Sequence, residues 1–125
     1  MMPVGTKDAP LPSGPYSQAV ISGDKVFVSG QIPADPAGGT VPDGTEDQIR
    51  IALKNLSSVL SAAGVGKGCV LQVTVYLTDM NDFALMNSVF EETFDTPYPA
   101  RTCIGVSSLP KGVRIMADAV GERGH

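Results

Sequence analysis

A chain of 125 residues and 13.0 kDa has room for one hydrophobic core of ordinary size, so residues 1–125 read as a single domain. With 42% apolar and 18% charged residues and a mean hydropathy of +0.10, the composition belongs to a folded chain and not to a disordered one. Nine Lys plus Arg against thirteen Asp plus Glu leave a net charge of -4, which offers nucleic-acid phosphates no general attraction.

The chain opens on an extended lead punctuated by Pro10, Pro12 and Pro15. Ser17 to Ser22 and Lys25 to Gln31 then flank Gly23-Asp24, which predicts a hairpin. A Pro- and Gly-rich loop follows to Thr45, whose spacing to Gln48 suits a capping box and starts a helix. Ile49, Ala52, Leu53, Leu56, Leu60 and Ala63 mark that helix's apolar face, with Gln48, Arg50, Lys54, Asn55 and Ser58 mostly elsewhere and Gly64 as its stop. Val70 to Leu77 is rich in β-branched residues and reads as a strand; Thr78 to Asp82 caps a second helix with Phe83, Met86, Phe90 and Phe94 as its buried stripe. Pro97 and Pro99 end it, and Thr102 to Ser107 and Gly112 to Val120 are two further strands connected through Leu109-Pro110-Lys111-Gly112. The predicted order is ββαβαββ. Two helices cover one sheet face, while Val26 to Val28 and Val70 to Leu77 carry apolar residues at both alternation phases. The second face therefore needs a cover, which a homo-oligomer or the proline-rich lead would supply.

Cys69 and Cys103 form no CxxC pair, so no zinc site or disulfide framework is expected and the thiols read as reduced. No run of about 18 apolar residues is present, so a cytoplasmic protein without a membrane segment is expected. The only histidine is the terminal His125, which disfavours Ser-His-Asp, Cys-His and HExxH chemistry. Arg101 is the only charged residue between Asp95 and Lys111. Its fork of donors suits a carboxylate, so it reads either as the anchor of a small ligand or as half of a structural salt bridge. Tyr16 and Ser29 offer hydroxyls and Gly30 exposes backbone. Cys103 shares the strand face of Arg101 and reads as a small packed residue, lacking a base. Asn87 reads as a solvated polar position or as a residue reaching a ligand.

Taken together, Ala9-Pro10, Gly14-Pro15-Tyr16-Ser17-Gln18-Ala19, Val28-Ser29-Gly30-Gln31-Ile32-Pro33, Asn81-Asp82-Phe83 with Asn87, Pro99-Ala100-Arg101 and Leu109-Pro110-Lys111-Gly112 resemble the RidA/YjgF family over nearly the whole chain. The resemblance implies an α+β chorismate-mutase-like fold, a mixed sheet with two helices on one face, assembled as a homotrimer with a ligand cleft at each subunit interface. It further implies hydrolysis of enamines and imines such as 2-aminoacrylate and 2-iminobutyrate to 2-keto acids and ammonia, with no cofactor and no metal. By the same resemblance Arg101 clamps the substrate carboxylate, the backbone around Cys103 and Gly30 gives polar contacts, and Tyr16, Ser29 and Asn87 fall on cleft positions. Deaminase members carry a glutamate on the last strand that positions or activates water; here Met116 stands there, with Asp118 at the second acidic position. Met116 accepts no proton, so a slowed enzyme or a non-catalytic carboxylate-binding trimer is also expected. RNA cleavage or translation inhibition, a historical reading of relatives, fits the acidic charge poorly.

Overall fold

A computed structural model describes residues 1–124; His125 lies outside the described residues. Its elements are β1 (Met2–Val4), β2 (Ala19–Ser22), β3 (Lys25–Gln31), α1 (Thr45–Ala62), β4 (Val70–Leu77), α2 (Phe83–Thr93), β5 (Ala100–Gly105) and β6 (Ile115–Glu122). They form one six-stranded sheet in the order β1-β2-β3-β6-β4-β5. All neighbours are antiparallel except β4 and β5, which run parallel because the chain returns through α2 between them. The order expected from sequence is present, with β1 added at the edge. That strand has three residues, one of them Pro3, paired Met2↔Ile21, and an edge is where a strand tolerates proline.

Alternation decides which face is buried. Along β6, Ile115, Ala117, Ala119 and Gly121 are buried while Met116, Asp118, Val120 and Glu122 are half-buried. The first set meets Ala19, Ile21, Val26, Val28, Val73 and Val75 beneath Ile49, Leu53, Leu56 and Leu60 of α1 and Met86 and Phe90 of α2. Gly121 is required by that packing, since a Cβ there would lie 2.7 Å from Cγ1 of Val65 and 3.2 Å from Leu60. The opposite face exposes Phe27 (46%) and Ile104 (42%), with Tyr76 and Val120 half-buried between them.

Helix ends explain two departures from the periodicity. The Thr45 and Gln48 capping box does not form. Gln48 is buried, where its amide needs partners on both sides; Nε2 donates to the Pro42 carbonyl at 2.9 Å and Oε1 accepts from the Arg114 amide at 2.9 Å. Thr45 Oγ1 instead accepts from Arg114 Nη1 at 2.9 Å, so both residues tie the helix start to the approach of β6. Asn55, expected on the polar face, is buried and donates to the carbonyls of Ile32 and Ala34 at 3.0 and 2.9 Å. At the other end Gly64 has φ 86, and the bonds Val65 N to Leu60 O and Gly64 N to Ser61 O close a Schellman turn. Phe83, assigned to the buried stripe of α2, is 37% exposed. It is the first residue of the helix, ahead of the point where the helix packs down on the sheet.

Candidate functional site

The strand β5 begins two residues before the expected Thr102, at Ala100, and places Arg101 within the ladder opposite Val73, with Cys103 opposite Val75. Directly paired residues share a face. Val73 and Val75 are buried in the core, so Arg101 and Cys103 point to the helical side, as their common parity predicts. There the Arg101 guanidinium lies over two rings of α2, 4.8 Å from the centroid of Phe90 and 5.5 Å from that of Phe83. Its Nη1 is 3.6 Å from Met86 Sδ. Four ion-pair contacts join described residues, and they involve Lys25 and Arg50, not Arg101. Within this chain, no described carboxylate pairs with Arg101, and its guanidinium rests on π-faces and a thioether.

Beside it, a depression of about 460 Å³ is lined by Asn87, Phe90, Glu91, Tyr98, Pro99 and Arg101. Asn87 Oδ1 is buried and accepts no hydrogen bond among the described residues. A buried acceptor without a donor is uncommon and costs roughly 1–3 kcal/mol, which gives this position a use that solvation alone does not. Cys103 is half-buried, and burial holds its thiol above the usual pKa of 9.0 against the smaller opposing effect of Arg101. A thiol so placed is a packing residue and not an activated nucleophile.

The remaining expected site residues sit elsewhere. A second depression, of about 410 Å³, includes Tyr16, Ser29, Gly30, Lys111, Met116 and Asp118 in its lining. The register between β3 and β6 shifts between Val28 and Gln31, so Ser29 and Gly30 form a bulge that turns them out of the regular alternation. Ser29 Oγ donates to the Ser17 carbonyl at 2.6 Å, pinning the segment that carries Tyr16. Met116 lies across the bulge: a Cβ at Gly30 would come within 2.7 Å of Met116 Sδ. Met116 pairs with Tyr76 and Asp118 with Thr74, residues that alternate with the buried Val73, Val75 and Leu77. They therefore occupy the face away from the helices, opposite to Arg101.

The structure thus brings together Arg101 with Asn87, and Tyr16 with Ser29, Gly30 and Met116, but holds the two groups on opposite faces of one sheet. Sequence reasoning missed the aromatic bed of Arg101, Glu91 and Tyr98 beside it, and the hydrogen bond by which Tyr76 Oη donates to Asp118 Oδ2 at 2.8 Å. That bond is the main reason the Tyr76 hydroxyl titrates above its usual 10.0, with burial adding to it. Strand parity could have shown that Tyr76 and Asp118 share a face once register was known. Gln18, within the Gly14 to Ala19 block that carries the family resemblance, is structural: its Nε2 donates to the carbonyls of Thr6, Ala9 and Pro10 at 3.0, 3.3 and 2.8 Å. Lys111 has φ 58, a strained conformation for a residue bearing a side chain, beside the second depression.

A mixed sheet with both helices on one face, an unpaired arginine on its edge strand and a bulged strand beside Met116 define an α+β domain of the RidA/YjgF type. The family model described as Endoribonuclease L-PSP matches residues 6–121, and the chain belongs to this family, to which proteins named RidA and YjgF are structural neighbours. It is 49% identical over 116 residues to a RutC family protein of Pyrococcus horikoshii, covering 92% of each. It is 40% identical over 123 residues to the 2-iminobutanoate/2-iminopropanoate deaminase of Salmonella typhimurium, covering 96% of each. The crystal structure of E. coli TdcF with bound serine has a TM-score of 0.93 to it at 41% identity, covering 99% of this chain and 100% of that one. No helix among the described residues is long and apolar enough to cross a membrane.

Proposed function

We propose that the protein hydrolyses 2-imino acids and their enamine tautomers to 2-keto acids and ammonia, in clefts formed between the subunits of a homotrimer in the cytoplasm. The observation that carries this reading is the pairing of an Arg101 guanidinium without a carboxylate partner and a buried, unpartnered Asn87 Oδ1 in one depression. The first suits the carboxylate of a small acid; the second suits an N–H one or two bonds away. The names of the deaminase relative and of the serine-bound neighbour support a small amino-acid-like substrate.

The same geometry supports an oligomer. Tyr16, Ser29, Gly30 and Met116 occupy the face opposite to Arg101, so one protomer cannot present both sets to one ligand. Packing the apolar open face, with Phe27, Tyr76, Val120 and Ile104, against a neighbour covers it and sets one protomer's Arg101 near the next one's bulge. The trimeric number rests on the family resemblance.

An imine carbon is already electrophilic, so the cleft has three tasks. Arg101 fixes the carboxylate, the Asn87 amide receives the nitrogen's N–H, and polar groups at Ser29 and Gly30 orient water toward the carbon. Attack forms the C–O bond as the C=N π pair moves to nitrogen; the two water protons pass in turn from oxygen to nitrogen, and C–N then breaks with its pair on nitrogen as C=O forms, releasing ammonia and the keto acid. The test generates 2-iminobutyrate in situ from a 2-amino acid with an amino acid oxidase and follows its disappearance and the release of 2-ketobutyrate. Acceleration by the wild type is expected. None, at concentrations where a glutamate-bearing relative works, overturns the reading.

A second reading, a trimer that binds small carboxylates without turnover, draws on Met116, whose thioether covers Gly30 where deaminase members carry a glutamate. It expects 2-ketobutyrate to bind wild type, Arg101→Ala to abolish that binding, and imine hydrolysis to be absent.

A further inference from the structure

We propose that Asp118, oriented by the Tyr76 hydroxyl, is the proton acceptor for water in this cleft, taking over from the position that Met116 fills. This rests on the deaminase reading and adds a residue to it.

Hydrolysis of an imine moves a proton off water as the C–O bond forms, and some group must receive it. Three side chains with ionisable groups line the second depression: Tyr16, Lys111 and Asp118. An ammonium has donors only, and a phenol is a weak acceptor near neutral pH. Asp118 is the carboxylate among them. It lies on the face that carries Met116, two residues further along the strand, or roughly 6.6 Å.

What singles it out is that its orientation is held. Tyr76 Oη donates to Oδ2 at 2.8 Å from the adjacent strand, while Oδ1 accepts no hydrogen bond among the described residues. One oxygen is thus used for positioning and the other keeps its lone pairs for a water, which is the arrangement a general base needs. Thr74 faces Asp118 directly across β4 and carries no charge. Tyr16 and Lys111 approach from the flanking loops, and Glu122 follows two residues beyond Val120 on the same strand. Glu91, the carboxylate beside Arg101, is exposed and lies on the helical side, where no hydrogen bond holds it among those described.

As water attacks the iminium carbon, Asp118 takes its proton and the C=N electron pair passes to nitrogen, giving a neutral carbinolamine. Asp118 then returns the proton to nitrogen. The C–N bond breaks with its electron pair on ammonia, and the remaining hydroxyl proton passes through Asp118 to ammonia, leaving keto acid and ammonium with the carboxylate regenerated. Tyr76 touches no reacting atom; it is a positioning residue.

The experiment measures kcat and KM for 2-iminobutyrate across pH, with 2-ketobutyrate binding and subunit assembly as controls, for wild type, Asp118→Asn, Tyr76→Phe, Glu91→Gln and Met116→Glu/Asp118→Asn. Asp118→Asn is expected to lower kcat by about 10²–10⁴, to flatten the acidic limb of the pH profile, and to leave ketobutyrate binding and assembly intact. Tyr76→Phe lowers kcat by about tenfold, and a glutamate at 116 restores turnover to the Asp118→Asn variant. Unchanged kcat in Asp118→Asn overturns the inference while leaving the deaminase reading standing; so does a loss matched by lost binding or assembly, or a loss confined to Glu91→Gln. A wild type without turnover overturns both.

Discussion

Replacing Arg101 with alanine separates its role in binding from any role in folding, because the structure makes the two costs unequal. On the ligand side the substitution would remove the bidentate, charge-assisted contact to a carboxylate proposed above, two hydrogen bonds each worth about 1.5–3 kcal/mol. Taking the low end for both gives about 3 kcal/mol, or roughly a 150-fold rise in Kd. On the folding side no carboxylate is left stranded, since Arg101 has no ion-pair partner among the described residues. The loss there is cation–π contact with Phe90 and Phe83 at 4.8 and 5.5 Å, about 0.5–1 kcal/mol per ring at a half-exposed site. That lowers Tm by a few degrees for a domain of this size. Calorimetric titration with 2-ketobutyrate and thermal unfolding of the same samples give both numbers. Arg101→Lys keeps the charge and loses the fork, so it falls between the two in affinity. An unchanged Kd in Arg101→Ala, or a fall in Tm large enough to account for lost binding, refutes the assignment of this side chain to a ligand.

Two further outcomes test the fold and the open face. Gly121→Ala places a Cβ 2.7 Å and 3.0 Å from the two γ-methyls of Val65, and a branched side chain in a closed turn cannot rotate away, so denaturant unfolding shows a loss of about 1–3 kcal/mol. The Tyr76 hydroxyl titrates above 10.0 in the folded protein, so the folded state retains this proton where the unfolded state releases it. Its contribution is present below pH 10 and is lost as pH rises through the folded-state value. Stability therefore falls more steeply above pH 10 in the wild type than in Tyr76→Phe, and equal slopes mean that the bond to Asp118 does not form in solution.

Most of the architecture was legible because it is written in periodicity. The helix from Thr45, the strand from Val70 and the hairpin at Gly23-Asp24 each repeat a spacing over many residues, and the structure keeps them. What was illegible is what single residues decide against the pattern. Gln48 and Asn55 sit at positions that read as polar surface, yet each is buried because its amide closes the backbone groups of a loop, and no spacing announces a hydrogen bond to a distant carbonyl. β1 is too short to show alternation and contains a proline. For the site, Arg101 stood out because it is alone in an uncharged stretch, and its shared face with Cys103 followed from parity within one strand. Relating Arg101 to Met116 needed the register of β4 against both β5 and β6, which parity within a strand cannot supply. The cushion of Phe83 and Phe90 was hidden for a similar reason: both were assigned to a core stripe, whereas their rings also carry the guanidinium.

The placement of Arg101 and the Ser29–Gly30 bulge on opposite faces of one sheet has a quantitative consequence for mixtures. Let one variant, Arg101→Ala, spoil the first depression, and let another, Gly30→Val, fill the second by driving a branched side chain against Met116, where even a Cβ meets Sδ at 2.7 Å. In the proposed trimer, either variant alone then lacks one half of every cleft and is expected to be inactive. If a cleft draws Arg101 from one subunit and Gly30 from its neighbour, random reassembly of equal amounts makes an interface whose two contributing halves are both intact with probability one half for each, so activity returns to about one quarter of the wild-type level. Unfolding the two variants together and refolding them, or coexpressing them, supplies the mixture; separately refolded samples mixed afterwards serve as the baseline. A cleft contained within one protomer would give no recovery at any ratio, because every subunit would still carry its own defect. Recovery that follows the product of the two variants' fractions, with its maximum at equal amounts, is the expected signature of a site shared between subunits.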